Sequence, residues 1–250
     1  MKINRLVFLL IFGLFLYGDV MYEMLTTTQG MMGMGDSETM MRIFIKGDRS
    51  RTEIISKSAS LGEFTNIYIV RLDKRVVWTF DDSNKKYTEV TLEANLNAEP
   101  EKPLDSMAAK PQIKVEATGE KKKLLENDCE KVIVLLKLDT KETDFDLTQT
   151  MWVAKDLQGS EEIIAYNKKL TEIGGGMMQA AQLGIDKKSL QGFMNKINEI
   201  NGFPLELELD MEINFEEIAM TTTTKSQVTK ISVVPISDKV FEIPEGYSPQ

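Results

Sequence analysis

The chain has 250 residues, 42% of them hydrophobic, which is enough for a sizeable core and too many for global disorder. Its 30 Lys and Arg face 39 Asp and Glu for a net charge of −9, a balance that excludes a nucleic-acid binder relying on clustered cations to neutralise phosphate. There is no histidine and one cysteine, which removes histidine-based triads and acid–base pairs, histidine and multi-cysteine metal sites, and any intramolecular disulfide.

Lys2 and Arg5 precede an apolar run from Leu6 to Tyr17, broken only by Gly13. The run falls short of the ~20 residues a spanning helix needs and fits the apolar centre of a secretory signal. Leu16-Tyr17-Gly18 meets the small-residue cleavage pattern only at Gly18. Residues 1–18 are therefore read as a signal peptide, with an uncleaved N-terminal anchor as the alternative. No later stretch is apolar enough to span a membrane. The mature chain, residues 19–250, is expected to be a single exported domain, periplasmic or secreted.

Period-two alternation then dominates, the signature of half-buried strands. Val20–Gln29, Thr39–Lys46 and Arg49–Lys57 read as strands, the last two joined at Gly47-Asp48. Phe64–Leu72 and Arg75–Phe80 form a hairpin around Asp73-Lys74, and Ser83-Asn84 turns the chain into Lys86–Leu92. Glu93 to Lys110, with two prolines, four alanines and several acids, reads as a linker or frayed helix. Gln112–Thr118, Glu130–Leu138 and Thr143–Val153 follow, with Lys121-Lys122-Lys123 as a solvated turn. Phe203–Phe215 alternates most cleanly, and Ile218–Val234 should pair back on it. Short turns link nearly all of these eleven strands, so the pattern predicts an antiparallel meander.

Helices interrupt once. Ser160 is positioned as an N-cap, Glu161 and Glu162 sit in the first turn, and Ile163, Tyr166, Leu170 and Ile173 mark an apolar stripe. Gly174-Gly175-Gly176 ends that helix. Met177–Leu183 is a short apolar helical piece. Asp186 caps a third helix carrying Leu190, Phe193, Met194 and Ile197. The region 160–202 is thus predicted to be a helical lid over the sheet.

Few constellations carry chemistry. Glu206, Glu208, Asp210 and Glu212 lie along one strand face about 7 Å apart, a spacing that suits a paired-carboxylate site or calcium, but also a plain solvated face neighboured by Lys225 and Lys230. The methionines crowding residues 21–41 are soft Cu(I) donors or adaptable apolar filler, and without histidine the filler reading is preferred. Cys129 has no evident activating partner and is read as buried and structural. No catalytic residue, metal or cofactor is expected.

The greasy strand faces remain. The candidate ligand-lining residues are Val132, Val134, Leu136 and Leu138 of one strand and Met151 and Val153 of the next. Met177, Met178, Leu183 and Phe193 join them from the helical segment, and Leu205, Leu207, Leu209 and Met211 from the late strand. If the helices seal this face it is an ordinary core; if they sit as a loose lid, the space is a lipid-sized cavity.

Several stretches resemble a known family. Val70-Arg71-Leu72-Asp73-Lys74-Arg75-Val76-Val77-Trp78-Thr79-Phe80, followed by Tyr87, resembles a hairpin of a family of exported bacterial proteins of unknown function. That family is itself similar to the lipoprotein carrier LolA and to LppX-type lipid-binding proteins. Thr118-Gly119-Glu120 through Cys129-Glu130-Lys131 resembles its turn and strand, with Asn127 where a glycine is more usual. Met151-Trp152-Val153-Ala154-Lys155-Asp156, Gly202-Phe203-Pro204 and Phe241-Glu242-Ile243-Pro244-Glu245-Gly246-Tyr247 resemble its tryptophan strand, late strand and closing motif. The resemblance implies a mainly β (α+β) fold, an unclosed antiparallel half-barrel whose concave apolar face is covered by helices. It implies binding of a lipid or an acylated protein, as carrier or sensor in the cell envelope, with an envelope protein as a further partner. The alternative is a structural or interaction protein with a filled core; an enzyme using carboxylates alone is the least favoured reading.

Overall fold

In a computed structural model the described residues are 18–30, 36–58, 62–92, 112–139, 143–173, 196, 200–215 and 218–250. The strands are β1 (Val20–Gln29), β2 (Ser37–Lys46), β3 (Arg49–Ser58), β4 (Gly62–Arg71), β5 (Val76–Asp81), β6 (Lys86–Thr91), β7 (Gln112–Leu124), β8 (Asn127–Asp139), β9 (Thr143–Ala154), β10 (Phe203–Phe215), β11 (Ile218–Val233) and β12 (Ser248–Pro249). Among the described residues one α-helix, α1 (Ser160–Glu172), falls between β9 and β10. All twelve strands form one unclosed sheet, in the order β12-β6-β5-β4-β3-β2-β1-β11-β10-β9-β8-β7.

Four expectations are corrected. The sheet has twelve strands instead of eleven, because the last residues pair in parallel with β6, Ser248 opposite Lys86. It is two meanders instead of one. β1–β6 and β7–β11 each run in chain order, and they meet where β1 pairs with β11. The inner face of the joint is apolar at the start of β1, where Val20 lies opposite Val233, Tyr22 opposite Ile231 and Met24 opposite Val228.

The third correction concerns the lysine run. Lys121-Lys122-Lys123 is strand, and the chain reverses at Leu125 and Glu126, with φ +45° and +62°. The turn carries no glycine to reveal it, and acids across the sheet hold the lysines: Lys122 Nζ is 2.7 Å from Glu206, Lys123 3.5 Å from Asp128 and Lys121 3.7 Å from Glu130. Gly119, at φ +79°, sits instead in a bulge between Ala117 and Lys121.

Fourth, Ser160 is no cap. Gly159 holds the N-cap position at φ +86°, and the Ser160 hydroxyl donates to the Leu157 carbonyl at 2.7 Å. Glycine is required there: a Cβ on Gly159 would lie 2.9 Å from Val233 and 3.0 Å from Val20. Of the predicted lid, only α1 and a few residues next to β10 are described. The second and third helices fall on residues 174–195 and 197–199, outside the described residues, as does the signal segment 1–17. Among the described residues no helix is long and apolar enough to cross a membrane.

The inner face of the sheet carries α1. Ile163 and Tyr166 pack with Val20, Ile43, Ile45 and Leu72. Tyr166 shares a 2.7 Å buried hydrogen bond with Ser50, Glu162 accepts from the Gly47 N–H at 2.8 Å, and Lys169 pairs with Asp48. These bonds fasten the helix to the β2–β3 hairpin. At the same end β10 parts from β11 beyond Glu206, while still following β9. Phe203 there turns edge-on to Tyr22, with ring centroids 5.8 Å apart.

The outer face of β2–β6 is covered by the C-terminal segment. Phe241, fully buried, joins Ile69, Val76, Trp78 and Phe80, a burial contributing about 1.5–3 kcal/mol for such a side chain. Arg71 fastens this segment. Its guanidinium donates to both Asp73 oxygens at 2.9 and 2.8 Å, to Glu242 at 2.6 Å and to the Phe241 carbonyl at 3.3 Å.

Candidate functional site

With α1 over β1–β4 and the C-terminus on the outer face, the inner face of β7–β10 is built from side chains in register. One transverse row runs Ala117, Val132, Met151, Leu207, and the next Val115, Val134, Gln149, Leu209. A third runs Ile113, Leu136, Leu147, Met211. Alternation puts these apolar groups on one side because strand side chains repeat every two residues. At β11 the rows change character: Leu207 lies opposite Ser226, Leu209 opposite Thr224 and Met211 opposite Thr222. The hydroxyls then continue inward, Ser226 bonding Thr26 at 2.9 Å, Thr224 bonding Thr28 at 3.3 Å and Thr39 bonding Ser56 at 2.9 Å. A pair of hydroxyls uses one proton on its shared bond and leaves the other for a further acceptor.

A pocket of about 400 Å3 opens on the apolar side. Val115, Ala117, Val132 and Val153 line it from the sheet, and Ile200 and Asn201, ahead of β10, from the other side. Glu130, Lys155 and Lys196 complete its wall. Lys155 pairs with Glu130 at 2.6 Å and holds that carboxyl below the usual carboxylate range. A larger pocket, about 570 Å3, lies at the opposite end of the sheet, against Phe64, Phe80, Asp81, Asp82, Lys86 and Gln250 among others. Its acids are already engaged. Asp81 accepts from the Ser83 and Asn84 N–H groups and the Asn84 amide, and Asp82 binds Lys85 and Tyr247. The smaller, more apolar pocket fits an apolar ligand better.

The candidate lining residues divide into three groups. Val132, Val134, Leu136, Met151 and Val153 are buried on β8 and β9, and Leu207, Leu209 and Met211 are half-buried beside them. Leu205 is separated from these: it is buried at the β10 bulge, in the cluster around α1. Met177, Met178, Leu183, Phe193 and the Leu138 side chain lie outside the described residues. Val115, Ala117 and Ile200 were not among the candidates. The alternation of Ile113, Val115 and Ala117 with Lys114 and Glu116 is the signal that places β7 in the site. Lys155 and Lys196 had no sequence signal, being two lysines among many.

The outer carboxylate row is held in pairs: Glu206 with Lys122, Glu208 with Lys225 at 3.2 Å, Asp210 with the Thr223 hydroxyl at 2.7 Å and Glu212 with the Asn214 amide at 3.1 Å. Among the described residues no group of three or more metal-ligating side chains converges. Cys129 is a buried free thiol, and desolvation pushes its pKa up, away from the thiolate a nucleophile needs.

Residues 27–247 match the family model of DUF4412, a domain of unknown function. The chain belongs to this family. No curated protein matches it. Among solved structures, it is similar to a domain assigned to outer membrane lipoprotein sorting from Vibrio parahaemolyticus, at 10% identity and a TM-score of 0.31, covering 90% of this chain and 89% of that one. It is also similar to a DUF1329 family protein from Desulfovibrio piger, at 10% identity and a TM-score of 0.30, covering 90% of each chain. At these scores the likeness bears no weight on function, which is read from the sheet itself.

Proposed function

We propose that this DUF4412 chain binds the apolar part of a lipid or an acylated protein on the inner face of β7–β10, as an exported carrier or sensor of the cell envelope. It works without covalent chemistry. The supporting observation is the 400 Å3 pocket over Val115, Ala117, Val132 and Val153, bordered by half-buried Leu207. Sites for small apolar ligands run from about 300 to 1,000 Å3. The resemblance of the Val70–Phe80, Met151–Asp156 and Phe241–Tyr247 stretches to an exported family that is itself similar to LolA and LppX-type proteins supports the same reading. Export rests on the N-terminal basic and apolar segment.

A filled core is the second reading, favoured by Val134 and Leu205, which the chain itself covers almost completely. Ala117 separates the two, because it lines the pocket yet is exposed. Ala117→Trp puts an indole into the pocket without displacing a buried group. Protein purified without detergent should carry lipid visible by native mass spectrometry, and Ala117→Trp should lose it at unchanged melting temperature. Wild type free of lipid, and blind to added long-chain ligands, would leave the filled core.

A further inference from the structure

The pocket has an apolar floor and a cationic wall, and this juxtaposition specifies more than an apolar ligand. Lys155 and Lys196 both line it, from the end of β9 and from the segment ahead of β10. The acid in that wall is Glu130, and it already has two cations, Lys155 at 2.6 Å and Lys121 at 3.7 Å. Among the described residues no carboxylate lies within ion-pair distance of Lys196. Among the described residues three lysines therefore stand with one carboxylate beside an apolar pocket, in a chain whose net charge is −9. A chain this acidic repels anions at long range, so a local cationic excess at a pocket wall is a recognition feature for an anionic ligand group.

Resting on the lipid-binding reading above, we infer that the ligand is an anionic amphiphile. Its acyl chain lies over Val115, Ala117, Val132 and Val153, and its carboxylate or phosphate meets Lys196 and Lys155. Lys196, which has no carboxylate partner among the described residues, supplies a charge-assisted hydrogen bond, and Lys155 shares itself between Glu130 and the ligand. A neutral hydroxyl would accept only an ordinary hydrogen bond from the same lysines, and a cationic head group would be repelled by them. Both a free fatty acid and a phospholipid offer the required anion.

The test compares ligands of equal chain length on the detergent-free protein by titration calorimetry: dodecanoate, dodecyl phosphate, dodecanol and dodecyltrimethylammonium. The anions should bind about tenfold or more tighter than dodecanol, and that preference should shrink as salt is raised. Lys196→Gln should weaken dodecanoate about threefold or more while changing dodecanol binding less and leaving the melting temperature unchanged, and Lys155→Gln should do the same to the ligands with a small drop in melting temperature from the lost Glu130 pair. Extraction of phospholipid from phosphatidylglycerol vesicles, against binding of free dodecanoate alone, tells the phosphate source from the carboxylate source, and either result supports the inference. Equal affinity for dodecanoate and dodecanol would overturn it and leave the lipid-binding reading standing. Failure of all four ligands to bind would overturn both.

Discussion

The β7–β8 turn is a place where the protein gives up stability. Leu125 and Glu126 occupy the two central positions of a tight hairpin, with Leu124 opposite Asn127. Both have positive φ, +45° and +62°, where a non-glycine L-residue costs about 1–2 kcal/mol. Two-residue turns of this kind match strand twist and favour Asn-Gly. Replacing both residues, Leu125→Asn with Glu126→Gly, should therefore recover about 2–4 kcal/mol of strain. Against this stands about 0.5–1 kcal/mol for the extra freedom of glycine in the unfolded chain. Leu125 is 40% exposed, so losing its partial burial costs about 1–2 kcal/mol. The Asn127 amide bonds the Leu125 carbonyl at 2.6 Å, a backbone contact that the substitution keeps. The net gain centres on about 1 kcal/mol, read as a higher urea midpoint at constant slope and a melting temperature raised by about 2–4 °C per kcal/mol for a chain of this size. A double variant no more stable than wild type would refute the assignment of strain to this turn.

The Ser50–Tyr166 bond should show strong coupling. Tyr166→Phe strands a buried serine and should cost about 1–3 kcal/mol, while Tyr166→Phe with Ser50→Ala should cost less than the two single changes added together; additive costs in urea unfolding would contradict the bond. Acid should weaken the outer-face clamp. The Arg71 guanidinium holds the Asp73 carboxyl below its ordinary value, so its contribution is present above the unfolded pKa and is lost as pH falls through the lower folded value, below about pH 4. Asp73→Asn should thus be less stable than wild type at pH 7, with the gap closing towards pH 3, and a gap independent of pH would refute this. Cys129 should resist thiol reagents in the folded protein at pH 8 and react at once in concentrated urea; rapid labelling of the native state would contradict its burial.

How far the sequence reaches is clearest strand by strand. The alternation of Phe203–Phe215 against Glu206, Glu208, Asp210 and Glu212 is local, since each residue's face follows from its neighbours two positions away. β10 is found as predicted, and β3, β5, β6, β9 and β11 start or end within one or two residues of their predicted limits. β7 and β8 were cut short because their turn uses Leu125 and Glu126, residues with no turn preference. Their added residues carry the pairs Lys121–Glu130 and Lys122–Glu206, between strands or residues far apart in the chain. Within the candidate site, Val132, Val134, Leu136, Met151 and Val153 were legible as an apolar face. Val115, Ala117 and the lysines beside them were not singled out.

The sequence alone therefore determined that the chain is a large, mainly β fold with one greasy face, because alternation and composition need no knowledge of distant partners. Only the tertiary structure decided that β11 lies beside β1, that α1 rests on the β2–β3 hairpin, and that Lys155 and Lys196 share one pocket wall. Those relations join residues far apart in the chain, as where Thr26 bonds Ser226 and Arg71 bonds Glu242. They are set by which apolar surfaces and hydrogen-bonding groups can satisfy one another at once, a condition on the whole sheet that no local pattern carries.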